Sequence, residues 1–309
     1  MKTAKLFIAM GIMLSASAAQ ADLLVYEGFE GYYDKSTQNA GDPYNGKQSR
    51  TVSNNLLNGG KGWANTWSGS MTIGHDSLKK TGNPYSSGHT YNSFQNARFR
   101  KMDTSANSAV YKAGLVENGH VGKAGKTVWV SALMTLQDHN WGGLSFYRDG
   151  QEVMYVGKGD REVSKGKYNR FWKTQLGGIP GVSGDKGTHN GGKDGPAYST
   201  DRANPDLVVL KMSYAANGVV TVTMWVNPNK DADGNPTGKS YTVTHAGNRR
   251  FNRIRLAHGV NSKLGFDEFK IGTSYKSVTT GAVPEPATMA LLAFGGVGCL
   301  LRKRKKSAA

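Results

Sequence analysis

The stretch TVWVSALMTL, residues 127–136, places an apolar side chain at every second position. The stretch GVVTVTMWV, residues 218–226, follows the same period. Because successive side chains of a β-strand point to opposite faces, this period predicts two long strands that each bury one face. A buried face on both strands implies that a second sheet packs against them. The two stretches therefore favour a sandwich of β-sheets.

Ten further runs rich in β-branched and aromatic residues predict more strands, separated by segments rich in Gly, Asn, Asp and Ser. These runs are residues 23–29, 71–74, 97–102, 144–148, 152–156, 169–175, 206–214, 240–245, 251–256 and 264–271. A turn at residues 215–218 predicts an antiparallel hairpin between its flanking strands. No convincing amphipathic helix separates the strands, which favours an all-β sandwich or jelly roll. The segment 177–205 is longer than a simple connection between two strands, so we expect it to be mobile or functional.

The first residues have the layout of a secretory signal peptide. Two lysines precede an apolar run at residues 6–14, and Ala19 and Ala21 form a small-x-small cleavage site. We therefore expect residues 1–21 to be a signal peptide for the Sec export route. The mature chain is expected to begin at Asp22.

The last residues combine three different kinds of sequence. Pro284 and Pro286 prevent a continuing strand or helix, because proline lacks an N–H. The apolar run 287–301 follows, a predicted helix of fifteen residues that is short for a membrane span. The basic cluster 302–306 would remain on the cytoplasmic side. A short apolar helix with a basic stop predicts a membrane anchor, either processed after delivery or permanent.

The motif Pro284, Glu285, Pro286, with the apolar helix and basic cluster behind it, resembles the PEP-CTERM sorting signal of Gram-negative bacteria. That resemblance covers residues 282–309. It implies recognition by exosortase, a membrane-embedded transpeptidase, and delivery to the cell envelope, outer surface or exopolysaccharide matrix. It also implies that the protein is held in a membrane at least transiently, through the C-terminal helix before processing.

Composition limits the chemistry of the remaining domain, residues 22–281. The chain has a net charge of +17, which indicates affinity for polyanions such as acidic exopolysaccharide. A cationic surface without any binding site is the alternative. The bases are dispersed rather than clustered, so no specific nucleic-acid binding is predicted. The only cysteine, Cys299, lies in the tail, which excludes disulfides and cysteine catalysis from the domain.

Several stretches of the domain resemble LamG-like, concanavalin A-like jelly-roll proteins. They are residues 24–30, 57–67, 128–133, 146–152 and 266–273. The resemblance implies a concanavalin A-like jelly-roll sandwich of two antiparallel sheets. It supplies no shared catalytic motif.

Two patterns of carboxylates bear on metal binding and catalysis. Asp231 and Asp233 have the alternate spacing of a calcium loop, but position twelve is Ser240 where a bidentate Glu is needed. A polar hairpin loop is therefore the favoured interpretation, with calcium binding at Asp231 and Asp233 or at another loop as the alternative, and no other cofactor is predicted. Asp267 and Glu268 are adjacent, so in a strand they would point to opposite faces and could not act as a glycosidase pair. We therefore expect a non-enzymatic protein.

Three tryptophans in Gly- and Asn-rich segments, Trp63, Trp67 and Trp141, are candidate ligand-binding residues. Exposed aromatic rings can stack on sugar rings. The alternative for Trp63 and Trp67 is burial beneath the first long loop.

The first hypothesis is thus an exported jelly-roll protein that binds carbohydrate or other polyanions. The alternatives are a polysaccharide-active hydrolase or lyase on the same fold, and a purely structural matrix component.

Overall fold

The computed structural model describes residues 23–29, 50–52, 60–68, 71–74, 90–93, 98–137, 142–158, 172–176, 188–191, 205–247, 249–258 and 263–279. These residues form nineteen strands and two short helices. The strands are β1 (Leu23–Glu27), β2 (Arg50–Val52), β3 (Met71–Gly74), β4 (Thr90–Ser93), β5 (Arg98–Lys101), β6 (Val116–Glu117), β7 (His120–Val121), β8 (Lys126–Gln137), β9 (Gly142–Arg148), β10 (Gln151–Lys158), β11 (Trp172–Leu176), β12 (Thr188–Gly191), β13 (Asp206–Tyr214), β14 (Val219–Val226), β15 (Asn229–Lys230), β16 (Pro236–Thr237), β17 (Ser240–Ala246), β18 (Arg253–His258) and β19 (Lys263–Gly272). The helices are α1 (Ala109–Lys112) and α2 (Tyr275–Thr279).

Two large antiparallel sheets form the sandwich. The nine-stranded sheet has the order β17-β14-β13-β8-β19-β4-β3-β2, and β1 pairs with β19 beside this path. The six-stranded sheet has the order β12-β11-β10-β9-β18-β5. Two hairpins, β6–β7 and β15–β16, lie outside both. The predicted all-β jelly-roll sandwich of two antiparallel sheets is confirmed.

The hairpin predicted from the alternating stretches is also confirmed. β13 pairs with β14 in an unbroken antiparallel register from Val208↔Val226 to Tyr214↔Val220. The turn between them closes with a bond from the Ala215 N–H to the Val219 carbonyl, 2.8 Å. Gly218 completes the turn at a φ of 81°, a conformation that glycine adopts without steric cost.

The main core lies between the two sheets. In β8, four alternate residues point into it: Val128, Val130, Ala132 and Met134. From the six-stranded sheet, the core receives Leu144, Phe146, Met154, Val156, Ile254 and Leu256. The alternate side chains of the stretch 127–136 thus enter the core as expected, with the second sheet as their cover. The expectation that only one face is buried is wrong for this strand, because Trp129, Ser131 and Leu133 on its other face are buried as well.

A smaller apolar cluster lies on the outer face of the nine-stranded sheet. Trp129 and Trp225 stack there with ring centroids 6.0 Å apart, and Tyr275 of α2 lies edge-on to Trp129 at 5.7 Å. Leu133, Val209 and Val278 belong to the same cluster. Helix α2 therefore covers apolar side chains on the outer face that the sandwich itself leaves outside the core.

Several short elements were not predicted from the sequence, among them β12 and α2. Strand β12 lies inside the segment expected to be a loop, where it pairs with β11 at the edge of the sheet. Helix α2 has only five residues, too few for helical periodicity to show. Its first turn is capped by Ser274, whose hydroxyl accepts from the Ser277 N–H at 3.2 Å.

Both predicted targeting segments lie outside the described residues. This applies to the cleavage-site residues Ala19 and Ala21 and to the Pro284–Pro286 motif. The domain limits 1–21, 22–281 and 282–309 therefore stay predictions. In the part of the chain that the structure describes, no helix has the length and apolarity needed to cross a membrane.

Candidate functional site

The outward side of the six-stranded sheet carries a continuous group of polar and aromatic side chains. In β9, Leu144 and Phe146 point into the core, so Ser145 and Tyr147 point away from it. The strand register places Arg253 beside Tyr147 and Arg255 beside Ser145, and it places Lys101 on the other side of Arg253. We call this group the polar face; its members are Phe99, Lys101, Ser145, Tyr147, Glu152, Tyr155, Arg253 and Arg255.

Arg255 is the centre of the hydrogen-bond network on the polar face. Its Nη2 donates to Glu152 Oε2 at 2.5 Å and to Ser145 Oγ at 3.0 Å. The guanidinium carbon also lies 5.0 Å from the ring centroid of Tyr147. Because an arginine in this setting has a hydrogen bond on one side and a ring on the other, its orientation is fixed.

Tyr147 and Glu152 complete this network. The Tyr147 hydroxyl donates to Glu152 Oε2 at 2.9 Å, so this carboxylate is bonded by both a cation and a phenol. Burial raises the pKa of Tyr147 above its ordinary value, with the nearby Glu152 acting in the same direction and Arg255 opposing it. The phenol therefore remains protonated at neutral pH and acts as a donor, not as a base.

Two further cations occupy the side of the polar face nearest strand β5. Arg253 lies with its guanidinium carbon 5.9 Å from the Phe99 centroid, and Phe99 meets Tyr147 edge-on at 5.1 Å. Lys101 is exposed and is the register partner of Arg253. Among the described residues, no carboxylate lies within ion-pair distance of Arg253 or Lys101. These two charges are therefore available to an anionic ligand.

A pair of glycines forms the adjoining part of the sheet. Gly143 and Gly157 are register partners, and the Tyr155 hydroxyl donates to the Gly142 carbonyl at 2.7 Å. A Cβ on Gly157 would lie 2.3 Å from that carbonyl oxygen and 2.6 Å from the Tyr155 hydroxyl. The space beside the glycines is thus used by Tyr155, which lies against the sheet because no side chain displaces it.

The structure corrects the hypothesis that Trp67 stacks on a sugar. Trp67 is 1% exposed, and it stacks on Phe29 with centroids 5.9 Å apart. Its Nε1 donates to Glu27 Oε2 at 3.1 Å. No face of the ring is open to a ligand, and the alternative of burial is the correct one. The physical reason is that a buried carboxylate holds the indole N–H inside the sandwich.

Trp63 lies beside this buried indole and is partly exposed. Its Nε1 donates to the Tyr26 carbonyl at 2.9 Å, and the Arg100 guanidinium lies 4.7 Å from its ring centroid. One face of Trp63 is therefore occupied by an internal cation. The third candidate, Trp141, lies outside the described residues.

The calcium-like loop is stabilised by its own hydrogen bonds. Asp231 Oδ1 accepts from the Asn235 N–H at 2.7 Å, and both Asp231 and Asp233 are exposed. Among the described residues, no group of three His, Cys, Asp or Glu side chains is arranged to hold a metal ion. The loop is the polar turn between β15 and β16 that the sequence favoured.

The adjacent carboxylates Asp267 and Glu268 are buried at a β-bulge in β19. Glu268 Oε2 lies 2.9 Å from Lys270 Nζ, and its Oε1 accepts from the Tyr26 hydroxyl at 3.0 Å. Glu268 has a φ of 51°, so the ideal strand geometry assumed for this pair does not hold. The carboxylate is bonded internally and faces no cleft that the structure shows.

The polar face itself was missed by the sequence analysis. A signal was present, because the stretch 251–256 alternates Arg253 and Arg255 with apolar residues. The same strand therefore predicts two outward arginines. What the sequence does not show is that Phe99, Tyr147 and Glu152, from three other strands, lie beside them.

Comparison with known proteins identifies the C-terminal segment. Residues 282–305 match the PEP-CTERM protein-sorting motif, which confirms the resemblance seen in the sequence. The motif indicates an exported protein that is sorted to the cell envelope. No curated protein matches this sequence.

Solved structures with a similar fold include a lyase, a toxin binding domain and a CBM2 module. The endo-β-1,4-glucuronan lyase of the fungus Trichoderma reesei is 11% identical, with a TM-score of 0.40 over 83% of this chain and 98% of the lyase. The botulinum neurotoxin serotype D binding domain is 8% identical, with a TM-score of 0.38, and the match covers 89% of this chain and 52% of that structure. The CBM2 module of the evolved Dit protein of Lactobacillus casei BL23 phage J-1 is 7% identical, with a TM-score of 0.35. That match covers 82% of this chain and 95% of the module.

Proposed function

We propose that this exported, envelope-sorted protein binds acidic polysaccharide on the polar face of its six-stranded sheet. The observation that carries the proposal is the placement of Arg253 beside Tyr147 and the ring of Phe99, with the exposed Lys101 as its register partner. Guanidinium and ammonium groups bind the carboxylates of uronic acids through charge-assisted hydrogen bonds. Phe99, which is partly exposed, can also pack on the apolar face of such a sugar, whereas Tyr147 is buried and serves to position Arg255.

The single carboxylate of the polar face does not oppose an anionic ligand. Glu152 accepts from both Arg255 and Tyr147, so its charge is balanced within the protein. The same bonds fix Tyr147 and Arg255 before any ligand arrives. A face that is already ordered loses less side-chain entropy on binding.

We propose binding without cleavage. Hydrolysis of a glycosidic bond uses two carboxyl groups about 5–9.5 Å apart, and Glu152 is the one carboxylate among the described residues of the polar face. A lyase reaction needs a base that removes a proton from the sugar. The raised pKa of Tyr147 makes its phenol unsuitable for that role at neutral pH.

The proposal also includes the route to the envelope. Exosortase is the expected partner for Pro284, Glu285 and Pro286, and the apolar segment 287–301 holds the chain in a membrane until processing. Delivery to the cell surface or exopolysaccharide matrix would bring the polar face to acidic polymers.

The experiment is a binding assay on the chain from Asp22 to Gly281, which contains every described residue. Polyglucuronate, alginate, a neutral β-glucan and double-stranded DNA are compared at low salt and at about 0.15 M salt, where exposed charges are screened beyond ~8 Å. We expect binding to the acidic polysaccharides that persists at the higher salt. No unsaturated or reducing sugar ends should form during incubation.

Three other results would overturn the proposal. Equal binding to DNA, lost at the higher salt, would reduce the interaction to net charge. Release of sugar ends would support the hydrolase or lyase alternative. No binding to any polymer would leave the structural matrix alternative.

A further inference from the structure

We propose that, before its tail is processed, the domain rests with the outer face of the nine-stranded sheet on the membrane and displays the polar face away from it. The occupant of the nine-stranded face is the surface of an anionic phospholipid bilayer. The inference rests on the part of the proposed function that seats residues 287–301 in a membrane. It does not depend on polysaccharide binding.

The first step is the place where the chain leaves the sandwich. Helix α2 lies on the outer face of the nine-stranded sheet, with Tyr275 against Trp129 at 5.7 Å. The Ser131 hydroxyl donates to the Val278 carbonyl at 2.5 Å. Ser131 is near the middle of β8, which has β13, β14 and β17 on one side and β19, β4, β3 and β2 on the other. The last described residue, Thr279, therefore leaves from the central part of this face.

The second step is the length of chain that follows. Seven residues, 280–286, separate Thr279 from the apolar run. Fully extended, they span at most about 25 Å. A path from β8 to the nearer edge, β17, crosses three strand spacings, or about 14 Å. Passing the edge adds a sheet separation of about 10 Å and outward side chains of roughly 5 Å on each side.

The connection is therefore too short to reach the far face. The path around the nearer edge needs about 34 Å, against about 25 Å available. The domain cannot turn its polar face to the membrane while α2 stays packed and residues 287–301 stay inserted. The polar face therefore cannot rest on the bilayer, and the chemistry of the outer face decides among the orientations that remain.

The third step is the chemistry of the face that would meet the bilayer. Hydroxyl pairs run across β14 and β17, with Thr221 bonded to Thr244 and Thr223 bonded to Thr242, each at 3.1 Å. Lys276 of α2 is exposed. None of the described residues of β8, β13, β14 and β17 is an exposed Asp or Glu. A hydroxyl- and lysine-bearing surface without exposed carboxylates complements anionic lipid headgroups, at about 1 kcal/mol per lysine near the surface.

The test measures the distance of each face from the lipid. The full chain without its expected signal peptide, residues 22–309, carries Cys299→Ser, which removes its only cysteine, and one new cysteine at either Thr223→Cys or Lys101→Cys. Each is labelled with a fluorescent donor and placed in vesicles of phosphatidylglycerol and phosphatidylethanolamine containing a headgroup acceptor. We expect at least twofold higher energy transfer from position 223 than from position 101, because the two labels lie on opposite sides of a sandwich about 20 Å thick.

The matched control lengthens the connection. Twenty Gly and Ser residues inserted after Thr280 make it long and flexible, so the difference between the two labels should disappear. Equal transfer from both labels without the insertion, or higher transfer from position 101, would overturn the proposal. So would a full chain that does not associate with the vesicles. Loss of polysaccharide binding, measured separately on residues 22–281, would overturn the proposed function and leave this orientation standing.

Discussion

Glu27 and Arg100 form an ion pair that connects the two sheets, with both side chains essentially inaccessible to solvent. Glu27 lies in β1 of the nine-stranded sheet and Arg100 in β5 of the six-stranded sheet. Two more hydrogen bonds reach the Glu27 carboxylate. The Phe29 N–H donates to Oε1 at 2.9 Å, and Trp67 Nε1 donates to Oε2 at 3.1 Å. A buried charge pair survives in a protein interior when its remaining hydrogen bonds are satisfied in this way.

The first prediction concerns this pair. Glu27→Gln leaves the Arg100 charge buried without its counter-charge, so we expect the free energy of unfolding to fall by about 3–5 kcal/mol. Urea denaturation followed by tryptophan fluorescence measures the loss. The matched control is Glu117→Gln, whose pair with Arg250 at 2.8 Å is partly exposed. It should cost much less than Glu27→Gln, because solvent screens a partly exposed pair.

A double variant separates the charge from the packing. Glu27→Met with Arg100→Met removes both charges, so its loss should be smaller than that of Glu27→Gln alone. If Glu27→Gln and Glu117→Gln cost the same, the pair has no special role in joining the sheets.

The second prediction concerns stability in alkali. Burial raises the pKa of Tyr214 above its ordinary value, although Arg250 partly opposes the effect. Above about pH 10 the unfolded chain releases this proton while the folded protein retains it, so stability present below pH 10 is lost as the pH rises. Tyr214→Phe has no proton to release, so its free energy of unfolding should decline less steeply with pH than that of the wild type. The range from pH 9 to 11 brackets the ordinary tyrosine pKa of about 10.

The measurement is urea denaturation at several pH values. Tyr214→Phe should cost little at pH 7, because the hydroxyl's hydrogen bond is a weak one, to Met212 Sδ at 3.8 Å. Tyr111→Phe is the control, since Tyr111 is 48% exposed in the folded protein. A slope in alkali that is the same for wild type and Tyr214→Phe would contradict the prediction.

The alternating stretches were sufficient to predict the architecture. In residues 127–136 the set of side chains that enters the main core depends only on which way each side chain points, and that property is local to the strand. The burial of Trp129 and Leu133 on the other face depends on α2, about 145 positions later, and could not be predicted in this way. Trp67 shows where local reasoning ends. Its neighbours are Gly, Asn and Ser, which favour an exposed loop, yet it is buried because Glu27, forty positions earlier, accepts from its indole. That partner could not be read from the surrounding residues.

The candidate site was only half accessible to sequence reasoning. The alternation in β18 predicts that Arg253 and Arg255 point the same way, but Lys101 and Tyr147 reach them through strand pairing across separations of 152 and 106 positions. Sheet order at such separations is set by the packing of the whole domain. The register therefore had to come from the structure.

The third prediction concerns the glycine pair. Gly157→Ala places a methyl group 2.3 Å from the Gly142 carbonyl oxygen and 2.6 Å from the Tyr155 hydroxyl. Backbone or Tyr155 must move, so we expect a loss of about 1–3 kcal/mol in the free energy of unfolding, with weaker polysaccharide binding. Thermal denaturation and the polymer assay measure the two effects.

The control for this variant is Gly119→Ala. A Cβ there meets nothing within 4 Å, and the only cost is the positive φ of 74°. It should destabilise by about 1 kcal/mol and leave polymer binding unchanged. If Gly157→Ala bound the polymer and unfolded like the wild type, the position of Tyr155 would not depend on the absence of a side chain at residue 157.

The fourth prediction concerns the available cations of the polar face. Arg253→Ala and Lys101→Ala should each weaken binding to polyglucuronate about tenfold at 0.15 M salt, because each removes a charge-assisted contact. Binding to immobilised polymer measures the change. Lys276→Ala, on the opposite side of the sandwich, lowers the net charge equally and should leave the affinity unchanged.

The comparison with Lys276→Ala decides whether the effect is local. An equal loss in all three variants would assign binding to the net charge of the protein. No loss in Arg253→Ala and Lys101→Ala would exclude the polar face as the binding surface.

The position of β19 determines when this protein can fold during export. β19 lies between β8 on one side and β1 and β4 on the other, so in the described sheet the first strand of the chain pairs only with the last. The Tyr26 backbone bonds that of Lys61, but its strand partner Lys270 becomes available only when the end of the domain has been exported. Only about ten residues then separate the end of β19 from the sorting motif. The nine-stranded sheet is therefore completed just as the motif arrives at the membrane, and until that moment the apolar strands need protection from aggregation.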